Sequence, residues 1–174
     1  EQKKYLKEGA CVTSTDQEFA WEDYQKEQER LEGPGDGGAI KGDSYVLPDG
    51  SRASNTWKKI SDIWYYFDAA GNKARGWVLD GPTWYYMDAD GAMKTGWVNP
   101  GNGSWFYLGP DGAMQTGWIQ PSPGAWYYMN QDGYMQTGWI EVNQKHYYLQ
   151  ANGAMAYNTS VDGRWLGADG AAVN

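Results

Sequence analysis

The sequence predicts an all-β repeat, a stack of β-hairpins behind a short α-helical N-terminal segment. Three observations lead there. Tryptophans recur at intervals of 20 or 21 residues from Trp57 onward, the regularity of a solenoid or array. Glycine is abundant, at 24 of 174 residues, and falls where tight turns need it. The apolar content is of an unusual kind, with 11 Trp and 14 Tyr in place of the branched aliphatics that fill an ordinary core.

Residues 1–39 differ from the rest. Thr15-Asp16-Gln17-Glu18 has the capping-box pattern, a hydroxyl at the cap and an acid three residues on. The segment that follows, FAWEDYQKEQERLE, holds good helix formers and no Gly or Pro, with Phe19, Trp21, Tyr24 and Leu31 as a loose apolar stripe. One helix is expected, stopped by the linker Gly33-Pro34-Gly35-Asp36-Gly37-Gly38.

The repeat module occupies residues 40–174, as about five to six hairpin units with degenerate ends. Gly-Trp tryptophans fall at Trp77, Trp97, Trp118 and Trp139, and Trp57 takes the same place without its glycine. Seven or eight residues after each comes an aromatic triplet, from Trp64-Tyr65-Tyr66 through Trp84-Tyr85-Tyr86, Trp105-Phe106-Tyr107 and Trp126-Tyr127-Tyr128 to His146-Tyr147-Tyr148. Five residues beyond each triplet a glycine closes a turn sequence such as Asp-Ala-Asp-Gly. Each unit therefore reads strand, turn, strand. A lone two-stranded hairpin is marginal in water, and stacking buries a face that it cannot bury alone. At the ends, Tyr45 and Trp165 keep only the last-ring position of a triplet.

The formal net charge is −8, which disfavours nucleic acid and anionic membranes and suits a cationic ligand. No apolar run is long enough for a bilayer-spanning helix, and Glu1-Gln2-Lys3-Lys4 leads into no signal-like segment. Cys11 is the single cysteine, so no internal disulfide forms. His146 is the single histidine and lies within the repeat; neither has a partner that suggests catalysis. No metal-ligand cluster or phosphate loop appears, so no metal, cofactor or catalytic residue is expected.

Side chains alternate across a strand, so the first and third rings of a triplet share one face and the middle ring takes the other. The middle rings Tyr65, Tyr85, Phe106, Tyr127 and Tyr147 are the expected core. The first and third rings, with the Gly-Trp ring, are placed to line clefts between hairpins. Three aromatic faces suit a cation carrying methyl groups, because each presents the negative part of its quadrupole.

The run Gly-Trp, Trp-Tyr-Tyr, Asp-Gly-x-Met-x-Thr-Gly-Trp, and the closing MAYNTSVDGRW, resemble the choline-binding repeats of Gram-positive surface proteins and phage lysins. The resemblance covers residues 40–174. It implies a left-handed solenoid, non-covalent attachment to choline on teichoic or lipoteichoic acids, an extracellular location at the cell wall, and pairing of chains through the repeats as an open possibility. Each site takes two rings from one repeat and one from the next. The implied sets are Trp57, Trp64 and Tyr86; Trp77, Trp84 and Tyr107; Trp97, Trp105 and Tyr128; and Trp118, Trp126 and Tyr148. Met93, Met114, Met135 and Met155 are implied apolar walls. A fifth set, Trp139, His146 and Trp165, is expected to be weak, because imidazole is a poor cation platform. Lys73 stands where the first repeat should carry methionine and is expected to weaken the first or second site.

Three other readings remain open on the residues. All the rings could be core. The same rings could stack on glucan or another cell-surface polysaccharide. Catalysis, if the intact protein has any, is expected of an attached domain.

Overall fold

The computed structural model describes residues 35–173; the expected N-terminal helix and Cys11 lie outside them. Every strand is one arm of a two-stranded antiparallel hairpin. In chain order these are β1 (Ala39–Lys41) with β2 (Ser44–Val46), β3 (Thr56–Ile60) with β4 (Ile63–Phe67), and β5 (Gly76–Asp80) with β6 (Thr83–Met87). There follow β7 (Gly96–Val98) with β8 (Phe106–Leu108), β9 (Gly117–Ser122) with β10 (Ala125–Met129), β11 (Gly138–Val142) with β12 (Lys145–Leu149), and β13 (Thr159–Val161) with β14 (Arg164–Leu166). The described residues thus hold 7 hairpins, more than the repeat count suggested. The excess lies at the ends, where units with degenerate aromatic positions still form strands of 3 residues.

The residues fall into two units. One runs up to Arg75 with Ala89–Ala92 and holds the first two hairpins; the other, Gly76–Asp88 with Met93 onward, holds the remaining five.

Turn chemistry sets the register. Ser61 and Asp62 have φ of 51° and 63°, and Asn143 and Gln144 have 52° and 64°. Two successive positive values match the right-handed twist of the arms. Each such loop leaves Ile60 opposite Ile63 and Val142 opposite Lys145, which carries the pairing on to Trp57↔Tyr66 and Trp139↔Tyr148. The β5–β6 hairpin keeps the same register, Trp77↔Tyr86, with Gly81 at φ 59° ahead of Pro82.

After each second arm the chain doubles back and makes one bridge. In the second unit these are Met87↔Met93, Leu108↔Met114, Met129↔Met135, Leu149↔Met155 and Leu166↔Ala172. The bridging segment also reaches the preceding hairpin. The N–H groups of Met114, Met135 and Met155 donate to the carbonyls of Trp84, Trp105 and Trp126 at 2.8, 2.9 and 2.7 Å. Within the second unit, backbone hydrogen bonds therefore tie successive hairpins together.

The core differs from the one expected. Its deepest members are not the middle rings but the residues just after each triplet. Phe67, Met87, Leu108, Met129, Leu149 and Leu166 are fully buried. The bridge strand covers that position, which alternation places on the same face as the middle ring. Of the middle rings Phe106 is buried, whereas Tyr65, Tyr85, Tyr127 and Tyr147 are half-buried. Val78, Val98 and Ile119 fill in beside them.

The first unit has its own small cluster of Tyr45, Ala53 and Phe67, with the two rings 5.9 Å apart. It is closed by Asp36, which accepts from the Tyr45 hydroxyl, from Lys58 Nζ, and from the Gly38 N–H at 3.0 Å. Burial alone would raise the Asp36 carboxyl, but these donors prevail and hold it at about 2.

Candidate ligand-binding clefts

The cross-strand register puts each Gly-Trp ring beside the last ring of its own triplet. Trp77 meets Tyr86 at 5.1 Å, Trp97 meets Tyr107 at 5.1 Å, Trp118 meets Tyr128 at 5.1 Å and Trp139 meets Tyr148 at 5.3 Å, all edge to face. In the first unit Trp57 meets Tyr66 at 5.1 Å. The first ring of the triplet lies on the same face. Trp57 and Trp64 stand 6.3 Å apart at 87°, and Trp77 and Trp84 stand 6.3 Å apart at 89°. Two indoles at a right angle form the corner of a box.

The next hairpin supplies a third wall, and it is the middle ring. Phe106 lies 4.8 Å from Trp77, Tyr127 lies 4.9 Å from Trp97, and Tyr147 lies 4.9 Å from Trp118. The family resemblance implies Tyr107, Tyr128 and Tyr148 in that place. Those rings instead brace the tryptophan of their own hairpin, as does Tyr86. Alternation had assigned the two faces correctly. The hairpins, however, stack front to back, so the ring turned away from its own tryptophan faces the tryptophan before it.

A cavity of about 210 Å³ is lined by Trp77, Trp84, Phe106, Met114, Gln131 and Asp132. A larger one of about 570 Å³ is lined by Trp118, Trp126, Tyr147 and Met155, with Gly124, Tyr157, Ala168 and Asp169. Trp84 and Trp126 are 40% and 39% exposed, too open for core indoles and placed to receive a ligand from solvent. The Gln120 amide, oriented with its oxygen toward Trp126 Nε1 at 3.2 Å, can accept from that indole and steady it. Trp105, just ahead of β8, is 43% exposed and accepts the Met135 N–H through its carbonyl.

Comparison with known proteins gives this geometry a family. The choline-binding repeat model matches residues 54–97 and 119–160, and a cell wall binding repeat model matches 95–114. The choline-binding domain of CbpL from Streptococcus pneumoniae is 32% identical, with a TM-score of 0.65 over 78% of this chain and 74% of that one. The chain belongs to the choline-binding repeat family.

Choline binding protein F from Streptococcus pneumoniae is 42% identical over 75% of this chain and 44% of its own, with a TM-score of 0.67. CbpJ from Streptococcus pneumoniae TIGR4 is 41% identical over 78% and 47%, with a TM-score of 0.69. The chain thus spans less than half the length of these two relatives. No curated protein sequence matches at a comparable level.

Within the choline-binding repeats the methionines have two tasks. Met114 and Met155 wall the cavities, and Met93, Met114, Met135 and Met155 each lie under the turn glycine of the following hairpin. A Cβ on Gly112, Gly133, Gly153 or Gly170 would come within 2.4, 2.5, 2.3 and 2.4 Å of the sulfur of Met93, Met114, Met135 and Met155.

At the ends of the array the chain's own cations occupy the ring faces. Arg164 stands where the next middle ring would be, its guanidinium carbon 5.5 Å from the Trp139 ring centre, while Asp162 accepts from Trp139 Nε1 at 2.8 Å. His146 turns to Glu141 at 3.6 Å, and Trp165 is 53% exposed opposite Ser160. In the first unit Lys73 Nζ lies 5.0 Å over Tyr65, and its backbone N–H donates to Asp43 at 2.7 Å. Arg75 pairs with Asp43 at 2.7 Å. Lys73 therefore belongs to the cleft between the first two hairpins, upstream of the sites it was expected to weaken. The substitution at 164 was visible in the sequence once Leu166 is aligned with Leu149, but its contact with Trp139 was not.

Proposed function

We propose that this chain is a non-catalytic attachment module that binds choline groups of teichoic or lipoteichoic acid at the cell surface, one in each open cleft between hairpins. The observation that carries this reading is the box formed by two indoles at a right angle, a third ring from the next hairpin and a methionine floor. Such a box offers a quaternary ammonium several electron-rich faces and an apolar seat for its methyl groups. Choline binding protein F is described in complex with ipratropium, itself a quaternary ammonium compound, which supports the same ligand chemistry here. Among the described residues no group of three or more His, Cys, Asp or Glu could hold a metal ion.

The magnitudes favour repetition. A desolvated ring contributes ~1–2 kcal/mol to a bound cation. Three rings give roughly 3–6 kcal/mol before the costs of binding, which places a single cleft near millimolar dissociation. Several clefts facing a polymer with many cholines gain on the order of 10²–10⁴ through effective concentration.

Titration with choline chloride, followed by tryptophan fluorescence, tests the reading against sodium chloride and isomaltooligosaccharides. Saturation at millimolar choline, absent with salt, is the expected result. A response to the oligosaccharide alone would transfer the chain to polysaccharide binding, and silence from both would leave the rings as scaffold.

A further inference from the structure

The two cavities share a feature that the aromatic box does not explain. Each is lined by an aspartate from the hairpin after next: Asp132 in the Trp77–Trp84 cleft and Asp169 in the Trp118–Trp126 cleft. The repeat makes this placement regular. Asp132 precedes Gly133, which rests on Met114, and Met114 floors the first cavity; Asp169 precedes Gly170, which rests on Met155, and Met155 floors the second. The glycine-on-methionine contact thus delivers the turn residue beside it to the mouth of the cleft. At the intervening cleft the same contact joins Gly153 to Met135, and the residue before Gly153 is Asn152.

The two carboxylates are not equivalent. Lys145 lies 3.6 Å from Asp169, whose other oxygen accepts the Ala171 N–H at 3.0 Å. In the Asp132 turn those hydrogen bonds are made by Asn130, which accepts from the N–H groups of Asp132 and Tyr134 at 3.0 and 2.9 Å. The turn does not need the Asp132 carboxylate.

We propose that the carboxylate of Asp132 is a specificity-determining group for the Trp77–Trp84–Phe106 cleft, selecting a cationic ligand over a neutral one of the same shape. Asp169 does so more weakly at the Trp118–Trp126–Tyr147 cleft, where Lys145 shares its field, and Asn152 leaves the cleft between them without this charge. The rings already favour a quaternary ammonium over its carbon isostere through their quadrupoles, although both offer the same apolar surface. A carboxylate at the lip adds Coulomb attraction for the cation alone. The proposal rests on choline being the ligand.

The test uses protein labelled at the methionine methyl carbons, so that Met114, Met135 and Met155 report their own clefts by NMR. Choline chloride and 3,3-dimethylbutan-1-ol, its uncharged isostere, are titrated in turn. Asp132→Asn, which places in this turn the residue that its neighbour already has, should weaken choline at Met114 by about threefold at low salt and less at high salt. It should leave the isostere unchanged at Met114 and choline unchanged at Met135. The reciprocal Asn152→Asp should strengthen choline at Met135 by a similar factor. Equal weakening of both ligands, or no change in either variant, overturns the proposal. Wild-type protein whose methyls ignore choline altogether would instead refute the choline reading beneath it.

Discussion

Trp84 is 40% exposed yet held at a right angle to Trp77, with its carbonyl engaged by Met114. Its backbone serves the stack and its ring serves the cleft. Trp84→Ala should therefore abolish the choline response at Met114 while changing the response at Met155 less than twofold; equal loss at both would mark the ring as scaffold. At the last cleft the cation position is already taken. Arg164→Tyr should free the face of Trp139 and add one choline-responsive site, and no added site would mean that His146 limits this cleft. Asp36 makes a pH-dependent prediction. Its folded pKa of about 2 lies below the unfolded value of ~4, so its contribution is complete above pH ~4 and is lost as pH falls toward 2. Near-ultraviolet circular dichroism of wild type and Asp36→Asn should show their stability difference shrinking across that window.

The hairpin is the scale at which the sequence was most legible. Strand arms, turn positions and the two faces follow from the spacing of Gly-Trp, triplet and Asp-Gly, because a period of two and a turn glycine leave little freedom. Which ring completes a cleft was not legible, since alternation within one hairpin does not say whether neighbours meet front to front or front to back. The lip aspartates were hidden for a related reason. They come from two hairpins downstream, beyond the reach of a nearest-neighbour pattern. The buried residues Phe67, Met87, Leu108, Met129, Leu149 and Leu166 each follow the conspicuous rings by one position and carried no signal of their own. Gly133 is a point of constraint in its hairpin: its φ of 83° strains any side chain, and a Cβ there would meet the Met114 sulfur at 2.5 Å and displace it. Gly133→Ala should cost about 1–3 kcal/mol, read as a lower urea midpoint, with the Met114 methyl resonance displaced.

Across the whole chain the proposed function makes each cleft a separate millimolar site, so affinity for a surface should depend on how many remain. Trp84→Ala and Trp126→Ala should each lower retention on a choline-bearing matrix by about tenfold, and together by more than either, while single-choline affinity at the untouched cleft is preserved. Retention that falls with the first change and not the second would show that one cleft does the binding.

Front-to-back stacking has a consequence for how such a protein can change over generations. Each internal hairpin of the second unit carries half of a box on each side. Duplicating one such segment of some twenty residues, in register, would insert a complete new box and leave the older ones intact. Deleting one would remove a single box and rejoin its neighbours. Unequal recombination between near-identical stretches of gene would thus alter grip strength in whole steps, without a misfolded intermediate, so long as both ends keep their own arginine or lysine in place of a guest.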